Sequence, residues 1–222
     1  MAELRWERLA AATGIVFVVL SVIALVAGGQ APRPDDPDQE IVSYFVDNRS
    51  GLLFQAYLFG LASIFFLWFV GSLRSHLRRA EGETGRLSAV AFGGGVATVA
   101  TFFLGTSLSA ALAFRVAQTD PGVAVALFHV GSQAFTLSSF TAVVLVAAAS
   151  VVIIRTGALP SWLGWLGGLL SLAFLVSGFA VFVESGPLAS GGAYGYIVFG
   201  VFFLWVLLAS MLLVQRVGRP AG

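Results

Sequence analysis

Residues 52–73 read LLFQAYLFGLASIFFLWFVGSL, a stretch with no charged side chain that is closed by Arg74. A helix that crosses the hydrocarbon core of a bilayer needs about 20 such residues. The stretch therefore predicts a transmembrane helix, and five other stretches have the same character. The six predicted spans are residues 9–28, 52–73, 87–112, 135–154, 162–183 and 196–214.

The composition of the whole chain agrees with this interpretation. Of 222 residues, 58% are hydrophobic and 10% are charged, and the mean hydropathy is +0.94. Soluble domains have about 45–50% apolar and about 25% charged residues. The sequence therefore predicts an all-α integral membrane bundle of six transmembrane helices, forming a single transmembrane domain over residues 1–222.

Two residue types are missing from the sequence, and their absence excludes several chemistries. The chain has no cysteine, which excludes disulfides, thiolate metal sites and cysteine nucleophiles. All 12 basic residues are arginine, which excludes mechanisms that need a lysine amine. This composition is typical of a GC-rich bacterial genome, and we predict no cofactor.

The arginines predict the orientation of the bundle. If the N-terminus is cytoplasmic, nine arginines lie inside and three lie outside, which is the bias expected for cytoplasmic loops. Both termini are therefore predicted to face the cytoplasm, with the protein in the cytoplasmic membrane. The first apolar run is longer than the ~7–15 residues of a signal peptide, so we expect a retained anchor. The inside set is Arg5, Arg8, Arg74, Arg78, Arg79, Arg86, Arg155, Arg216 and Arg219; the outside set is Arg33, Arg49 and Arg115.

The first outer loop, residues 30–51, is predicted to contain a short amphipathic helix. Asp36 is placed to cap a helix that begins at Pro37, with Gln39 positioned for a capping box. The apolar side of this helix would lie along the outer membrane surface, up to about Arg49. That side comprises Ile41, Val42, Tyr44 and Phe45.

A second Asp-Pro pair, Asp120-Pro121, precedes the fourth span in the same way and hints at an internal repeat. Spans 2–3 and 4–5 would then be duplicated hairpins of one orientation. Chance matches in apolar sequence are the alternative. An offset of 73 residues aligns Ser88 with Ser161, Gly94 and Gly95 with Gly167 and Gly168, and Gly105 with Gly178.

Small residues follow one face of span 3 and one face of span 5. Such faces allow helix backbones to approach closely, which favours packing over a polar pore lining. Their hydroxyls can bond carbonyls of their own helix. The face of span 3 is Gly94, Thr98, Thr101, Gly105 and Ser109; that of span 5 is Gly164, Gly168, Ser171 and Gly178.

A polar stripe precedes the fourth span. His129, Ser132, Gln133 and Thr136 share one helical face, because side chains three, four and seven apart align. Counted back from Arg155, about 20 residues of span reach only Phe135. His129 then lies about 9 Å further out, at the outer headgroups.

Other polar residues are predicted at the same depth, so we expect an outward-facing vestibule. The alternative is that polar residues collect at the interface without a shared site. The predicted lining of the vestibule is Gln55, Tyr57, Arg115, His129, Gln133 and Glu184.

The function predicted from this vestibule is non-enzymatic binding of a small or lipidic molecule, with transport as one use. No Asp, Glu or Arg lies at mid-span, which counts against ion-coupled transport. The alternative is an accessory subunit that packs against itself or a partner membrane protein. A remote alternative is an intramembrane hydrolase with Ser107 or Ser109 and His129.

The remaining motifs predict contact with lipid and no metal or catalytic site. His76 and His129 lie on opposite sides and cannot share a metal or haem, and no HExxH motif occurs. The basic turn RSHLRRAEGETGR, residues 74–86, is predicted to contact anionic lipid. The predicted partners are the bilayer and the ligand, and no nucleic-acid partner is predicted.

Several segments between residues 41 and 170 resemble a family of multi-pass membrane proteins of high-GC Gram-positive bacteria. They are YFVDNRSGLLFQAYLFGL, FLWFVGSLRSHLRRAEG, RLSAVAFGGGV and RTGALPSWLGWLGGL. The resemblance implies a six-helix integral membrane protein. The activity of that family is not established, so the resemblance assigns no functional residue.

Overall fold

The computed structural model describes residues 2–82 and 84–216, with side chains from residue 9 onward. The side chains of Arg5, Arg8 and Arg219, which were predicted on the cytoplasmic side, are not among those that the structure describes. Within the described ranges the protein is helical and contains no strand. The helices are α1 (Ala2–Gly28), α2 (Asp38–Asp47), α3 (Arg49–Glu81), α4 (Arg86–Arg115), α5 (Pro121–Thr156), α6 (Ser161–Gly178) and α7 (Ala193–Arg216), with 3₁₀ turns at Val116–Gln118 and Phe179–Phe182.

Six of these helices are long and apolar enough to cross a membrane. Five of them contain a predicted span in full, and the span predicted at residues 162–183 covers most of α6 and the 3₁₀ turn that follows it. The predicted all-α fold with six spans is therefore confirmed. Large apolar side chains cover the outside of the bundle, for example Val26, Leu104 and Leu169, which are 56–78% exposed. An apolar surface of this extent is stable in lipid and not in water, so the chain is a multi-pass membrane protein.

The six spans form a closed ring in chain order. Helix α1 packs against α3, each later span packs against the next, and α7 returns to α1. We call the end that carries the start of α1 and the end of α7 the terminus end. The opposite end, which carries α2 and the α4–α5 and α6–α7 connections, is the α2 end.

The centre of the ring is filled by side chains. Phe69, Phe174 and Trp205 are fully buried there, and the Trp205 indole N–H donates to the carbonyl of Leu163 at 3.2 Å. Aromatic rings of α3, α6 and α7 stack around Phe202. The bundle therefore has a packed core and no open passage along its axis.

Helices α4 and α5 approach each other most closely at Gly94. A Cβ atom at this position would lie within 3.0 Å of backbone atoms of Val144 and Leu145. On α6 the predicted Gly164 and Gly178 make close contacts, since a Cβ there would lie 2.6 Å from Ile154 and from Phe140 respectively. Gly167 makes a further contact, where a Cβ would lie 2.8 Å from Trp205 Nε1, whereas the predicted Gly168 faces open space. Thr98 and Thr101 donate to carbonyls of their own helix, at 2.8 and 2.9 Å.

Helix α2 differs from the helix expected in the first outer loop. Asp36 does not cap it; the carboxylate instead accepts a hydrogen bond from the Arg33 amide at 2.7 Å, and Pro37 is the N-cap residue. Ile41 and Phe45 are buried against the protein, and the Phe45 ring lies 5.9 Å from that of Phe128 on α5. Part of the apolar side of α2 therefore packs on the bundle.

Candidate functional site

The predicted polar stripe lies on the first turns of α5. Asp120 starts this helix by accepting hydrogen bonds from the amides of Gly122 and Val123, at 2.9 and 3.3 Å. Pro121 follows at the first helical position, where its missing N–H costs nothing. The helix then continues without a break for 36 residues, about 54 Å, which is longer than a bilayer requires. The helix is consequently longer than a single crossing needs, and its first turns carry the polar stripe.

The α6–α7 connection folds back onto this stripe and supplies a residue that the sequence did not predict, Ser190. The Ser190 hydroxyl lies 2.9 Å from the Thr136 hydroxyl and donates to the carbonyl of Ser132 at 3.2 Å. Both hydroxyl-bearing residues are 7% exposed. The pair fastens the connection to α5.

The backbone of the connection explains why Ser190 reaches α5. Tyr194 donates its amide to the carbonyl of Pro187 at 3.1 Å, which closes a tight turn. A Cβ at Gly192 would lie 2.8 Å from the Ala189 carbonyl oxygen, so only glycine fits this turn. The sequence signal for the turn was the run GPLASGG at residues 186–192.

The segment before α2 closes the third side of a cleft of about 600 Å³. The hydrogen bond between the Arg33 amide and Asp36 turns the chain so that Pro34 and Asp35 face the cleft. The remaining walls come from α5 and from the end of α6 with its following residues. The lining residues are Pro34, Asp35, His129, Gln133, Val181, Phe182, Val183, Glu184 and Ser190.

Several polar side chains of this α2-end cleft make no hydrogen bond to the described part of the chain, whereas Ser190 is bonded to α5. Among the residues that the structure describes, His129, Gln133 and Glu184 donate and accept no side-chain hydrogen bond, and all three are exposed. Two carboxylates, Asp35 and Glu184, face an imidazole and an amide. Phe182, 82% exposed, adds an apolar rim. The cleft can therefore offer both hydrogen bonds and an aromatic surface to a molecule.

Three of the six residues predicted for the vestibule line this cleft, and three do not. Gln55 packs over Gly28 of α1. Tyr57 is 64% exposed on α3. Arg115 donates to the Gln118 side chain at 2.6 Å and lies beside the ring of Phe114. A single vestibule of all six is thus not formed, because residues at one depth project from different sides of the ring.

The tyrosines at this end are structural contacts rather than parts of the cleft. The Tyr44 hydroxyl donates to the carbonyl of Gly28 at 2.7 Å and ties α2 to the end of α1. Burial, and secondarily the neighbouring Tyr196, raises the pKa of Tyr44 to about 12. Tyr194 donates to the carbonyl of Ala173 at 3.1 Å.

The described residues hold neither a metal cluster nor a hydrolase pair. No group of three His, Asp or Glu side chains among them could hold a metal ion. No hydrogen bond in the described part of the chain joins His129 to Ser107 or Ser109, and Ser107 is exposed on α4. The geometry of a serine–histidine nucleophile is therefore missing.

A second cavity, of about 560 Å³, lies at the terminus end between α1, α3 and α7. Beside it, His76 donates from Nε2 to the carbonyl of Ala158 at 2.9 Å. Arg216 donates to the same carbonyl at 2.6 Å and to that of Gly157 at 3.1 Å. These contacts hold the α5–α6 connection against α3 and α7.

Comparisons with known proteins yield no relative: no protein family, no curated protein and no solved structure matches the chain.

Proposed function

We propose that the protein binds a small polar or amphiphilic molecule in the α2-end cleft, as a non-enzymatic receptor of the cytoplasmic membrane. The observation that carries the proposal is the convergence of three chain segments on a cleft in which the side chains of His129, Gln133 and Glu184 make no hydrogen bond within the described structure. Polar groups with free hydrogen-bonding capacity in a concave site are the usual specificity elements of ligand pockets.

The arginine bias supports an orientation with this cleft on the outer side. Among the arginines whose side chains the structure describes, six lie at the terminus end and three at the α2 end. Arginine-rich ends face the cytoplasm, so the cleft would be open to the exterior. The six at the terminus end are Arg74, Arg78, Arg79, Arg86, Arg155 and Arg216.

The packed centre of the ring favours binding over conduction. Phe69, Phe174 and Trp205 occupy the axis below the cleft. A solute that entered the cleft would meet the buried Thr136–Ser190 pair and then an apolar core. Transport would therefore require a rearrangement of the core, whereas binding requires none.

Single-cysteine labelling can test both orientation and binding, since the natural chain has no cysteine. We expect Gln133→Cys to react with a membrane-impermeant maleimide added outside intact cells. A lipid extract of the same membranes, added to the purified protein in detergent, should slow this reaction at least threefold. Glu40→Cys, exposed on α2 at the same end but outside the cleft, is the matched control and should be unaffected.

Two results would contradict the proposal. Labelling of Gln133→Cys only in inverted vesicles would reverse the orientation. Equal labelling rates of Gln133→Cys with and without lipid extract, and again with a water-soluble metabolite extract, would contradict ligand binding. The accessory-subunit alternative would then remain. A stoichiometric partner recovered with the intact protein would then favour that alternative.

A further inference from the structure

The cavity at the terminus end has one polar and one apolar part, arranged along α3. Its lining residues are Ala10, Ala11, Leu67, Trp68, Gly71, Ser72, Ser75, His76, Arg79 and Leu213. Leu67 and Trp68 lie at the apolar end, where α3 is still in its predicted span, and Trp68 is 56% exposed. Arg79 lies three turns further along, about 18 Å from Leu67 at the rise of an α-helix. That length matches a headgroup with its glycerol region and the start of an acyl chain.

The polar part of this groove is cationic. Arg79 is the charged residue of the lining, and no acidic side chain among the described residues 9–82 and 84–216 contributes to it. Arg79 already takes part in another interaction. A guanidinium carries five N–H donors, so it can bind a phosphate oxygen while keeping a second contact.

The other polar atoms of the groove are acceptors rather than donors. The hydroxyl protons of Ser72 and Ser75 are donated to the carbonyls of Trp68 and Gly71, both at 3.0 Å. The oxygens of these hydroxyls keep lone pairs for another donor. His76 donates from Nε2 to Ala158, which leaves Nδ1 of the neutral ring as an acceptor. A phosphate alone would pair with Arg79 but would offer no donor to these three acceptors, whereas a headgroup with hydroxyls would.

We propose that this groove binds an anionic phospholipid whose headgroup carries hydroxyls, of the phosphatidylglycerol type. The phosphate would pair with Arg79, and the headgroup hydroxyls would donate to Ser72, Ser75 and His76. The glycerol and acyl chain would lie on Leu67 and Trp68, at the depth where tryptophan is normally found in membranes. This site is separate from the α2-end cleft and does not depend on its function.

The glycines of α3 allow a variant that fills the groove without disturbing the fold. A Cβ at Gly71, which lines the groove, would meet no atom within 4 Å. Gly71→Phe should therefore occupy the lipid's position while all charges stay in place. Gly60→Phe is the matched control, because Gly60 lies on the same helix, also faces open space and does not line the groove.

Native mass spectrometry of the full-length protein, released from nanodiscs of equal dioleoyl-phosphatidylglycerol and dioleoyl-phosphatidylcholine, tests the proposal. We expect the wild type to retain phosphatidylglycerol about fivefold over phosphatidylcholine, as one arginine near a surface gives. Gly71→Phe and Arg79→Gln should lose this preference. Gly60→Phe and Arg78→Gln, the latter an equal loss of charge outside the groove, should keep it.

Three outcomes would overturn the proposal. Equal retention of the two lipids by the wild type would remove the headgroup selectivity. Loss of selectivity in Arg78→Gln as strongly as in Arg79→Gln would reduce the effect to general attraction by a basic surface. Displacement of the retained lipid by millimolar inorganic phosphate would assign the site to a free anion instead.

Discussion

At the α2 end, the α6–α7 connection is held to α5 by two neutral hydroxyls, Thr136 and Ser190. At the terminus end, the α5–α6 connection is held by the guanidinium of Arg216 and the imidazole of His76. Hydrogen bonds from charged groups are roughly twice as strong as those between neutral groups. The guanidinium of Arg216 therefore fastens the terminus end more firmly, whereas the carboxylates of Asp35 and Glu184 in the α2-end cleft make no hydrogen bond to other described residues.

This difference agrees with the roles proposed for the two cavities. The α2-end cleft is walled by two connections and by the start of α5, so its shape can adjust to a ligand. The groove at the terminus end is formed by helices α1, α3 and α7, so its shape is rigid. An adaptable cleft suits a soluble or amphiphilic ligand, and a rigid groove suits a structural lipid.

The largest loss of stability is expected from a change midway between the ends, which should affect both ends equally. Gly94→Val would force α4 away from the backbone of α5, and we expect a loss of about 3 kcal/mol in unfolding free energy. Both ends should loosen together. Thermal unfolding in detergent and hydrogen exchange would measure this. Gly93→Val is the matched control, since a Cβ at Gly93 meets open space; equal destabilisation by both variants would contradict the close approach.

A smaller effect, confined to the terminus end, is expected from Arg216→Met. The variant keeps most of the side-chain volume and removes the donors to Gly157 and Ala158. We expect a loss of about 1.5 kcal/mol, with faster amide exchange in the α5–α6 connection and none at residues 186–192. Arg155→Met, at the same end without a side-chain hydrogen bond in the described structure, serves as the control. Faster exchange at both ends would contradict the local role of Arg216.

The smallest effect separates the two ends by pH. The raised pKa of Tyr44 means that its contribution is complete below pH 10 and is lost as the pH rises towards 12. The carboxylate of Glu81 accepts hydrogen bonds from the amides of Leu87 and Ser88, at 2.8 and 2.9 Å. These bonds outweigh the opposing effect of desolvation, so the pKa of Glu81, which lies beyond the apolar part of α3, is below 4.5.

The contribution of Glu81 is therefore present above pH 4.5 and is lost as the pH falls through its folded-state pKa. Thermal unfolding should show a small loss of stability at acid pH that is absent in Glu81→Gln, and a small loss of stability at alkaline pH that is absent in Tyr44→Phe. Hydrogen exchange should place the first at the α3–α4 connection and the second at α2. If Glu81→Gln lost the same stability at acid pH as the wild type, the acid effect could not be assigned to Glu81.

Much of the fold followed from local patterns. The six spans could be predicted because a bilayer demands about 20 apolar residues for each crossing, which composition alone reveals. The start of α5 could be predicted from Asp120-Pro121, since capping acts within three residues. The depth of His129 at the outer headgroups stays a prediction from the constant rise of a helix. The duplication of spans 2–3 as 4–5 stays a prediction.

The candidate site could be predicted only in part. His129 and Gln133 were found from their spacing on one helix, and Glu184 from its place at the end of a span. Ser190 and Asp35 were not assigned to the site, because their positions depend on how two connections fold against α5. Gln55 was placed there wrongly, since its side chain packs over Gly28 on the other side of the ring.

The sequence by itself determined which residues belong to each apolar helix and how far along that helix each one lies, because composition marks the spans and the helical rise is constant. The tertiary structure alone decided which way each helix faces around the ring. It turned the apolar side of α2 onto α5, brought Gly167 rather than Gly168 into contact beside Gly164 and Gly178, and divided the predicted vestibule. The rotation of a helix in an apolar bundle depends on contacts between residues far apart in the chain, and all faces of such a helix have similar composition.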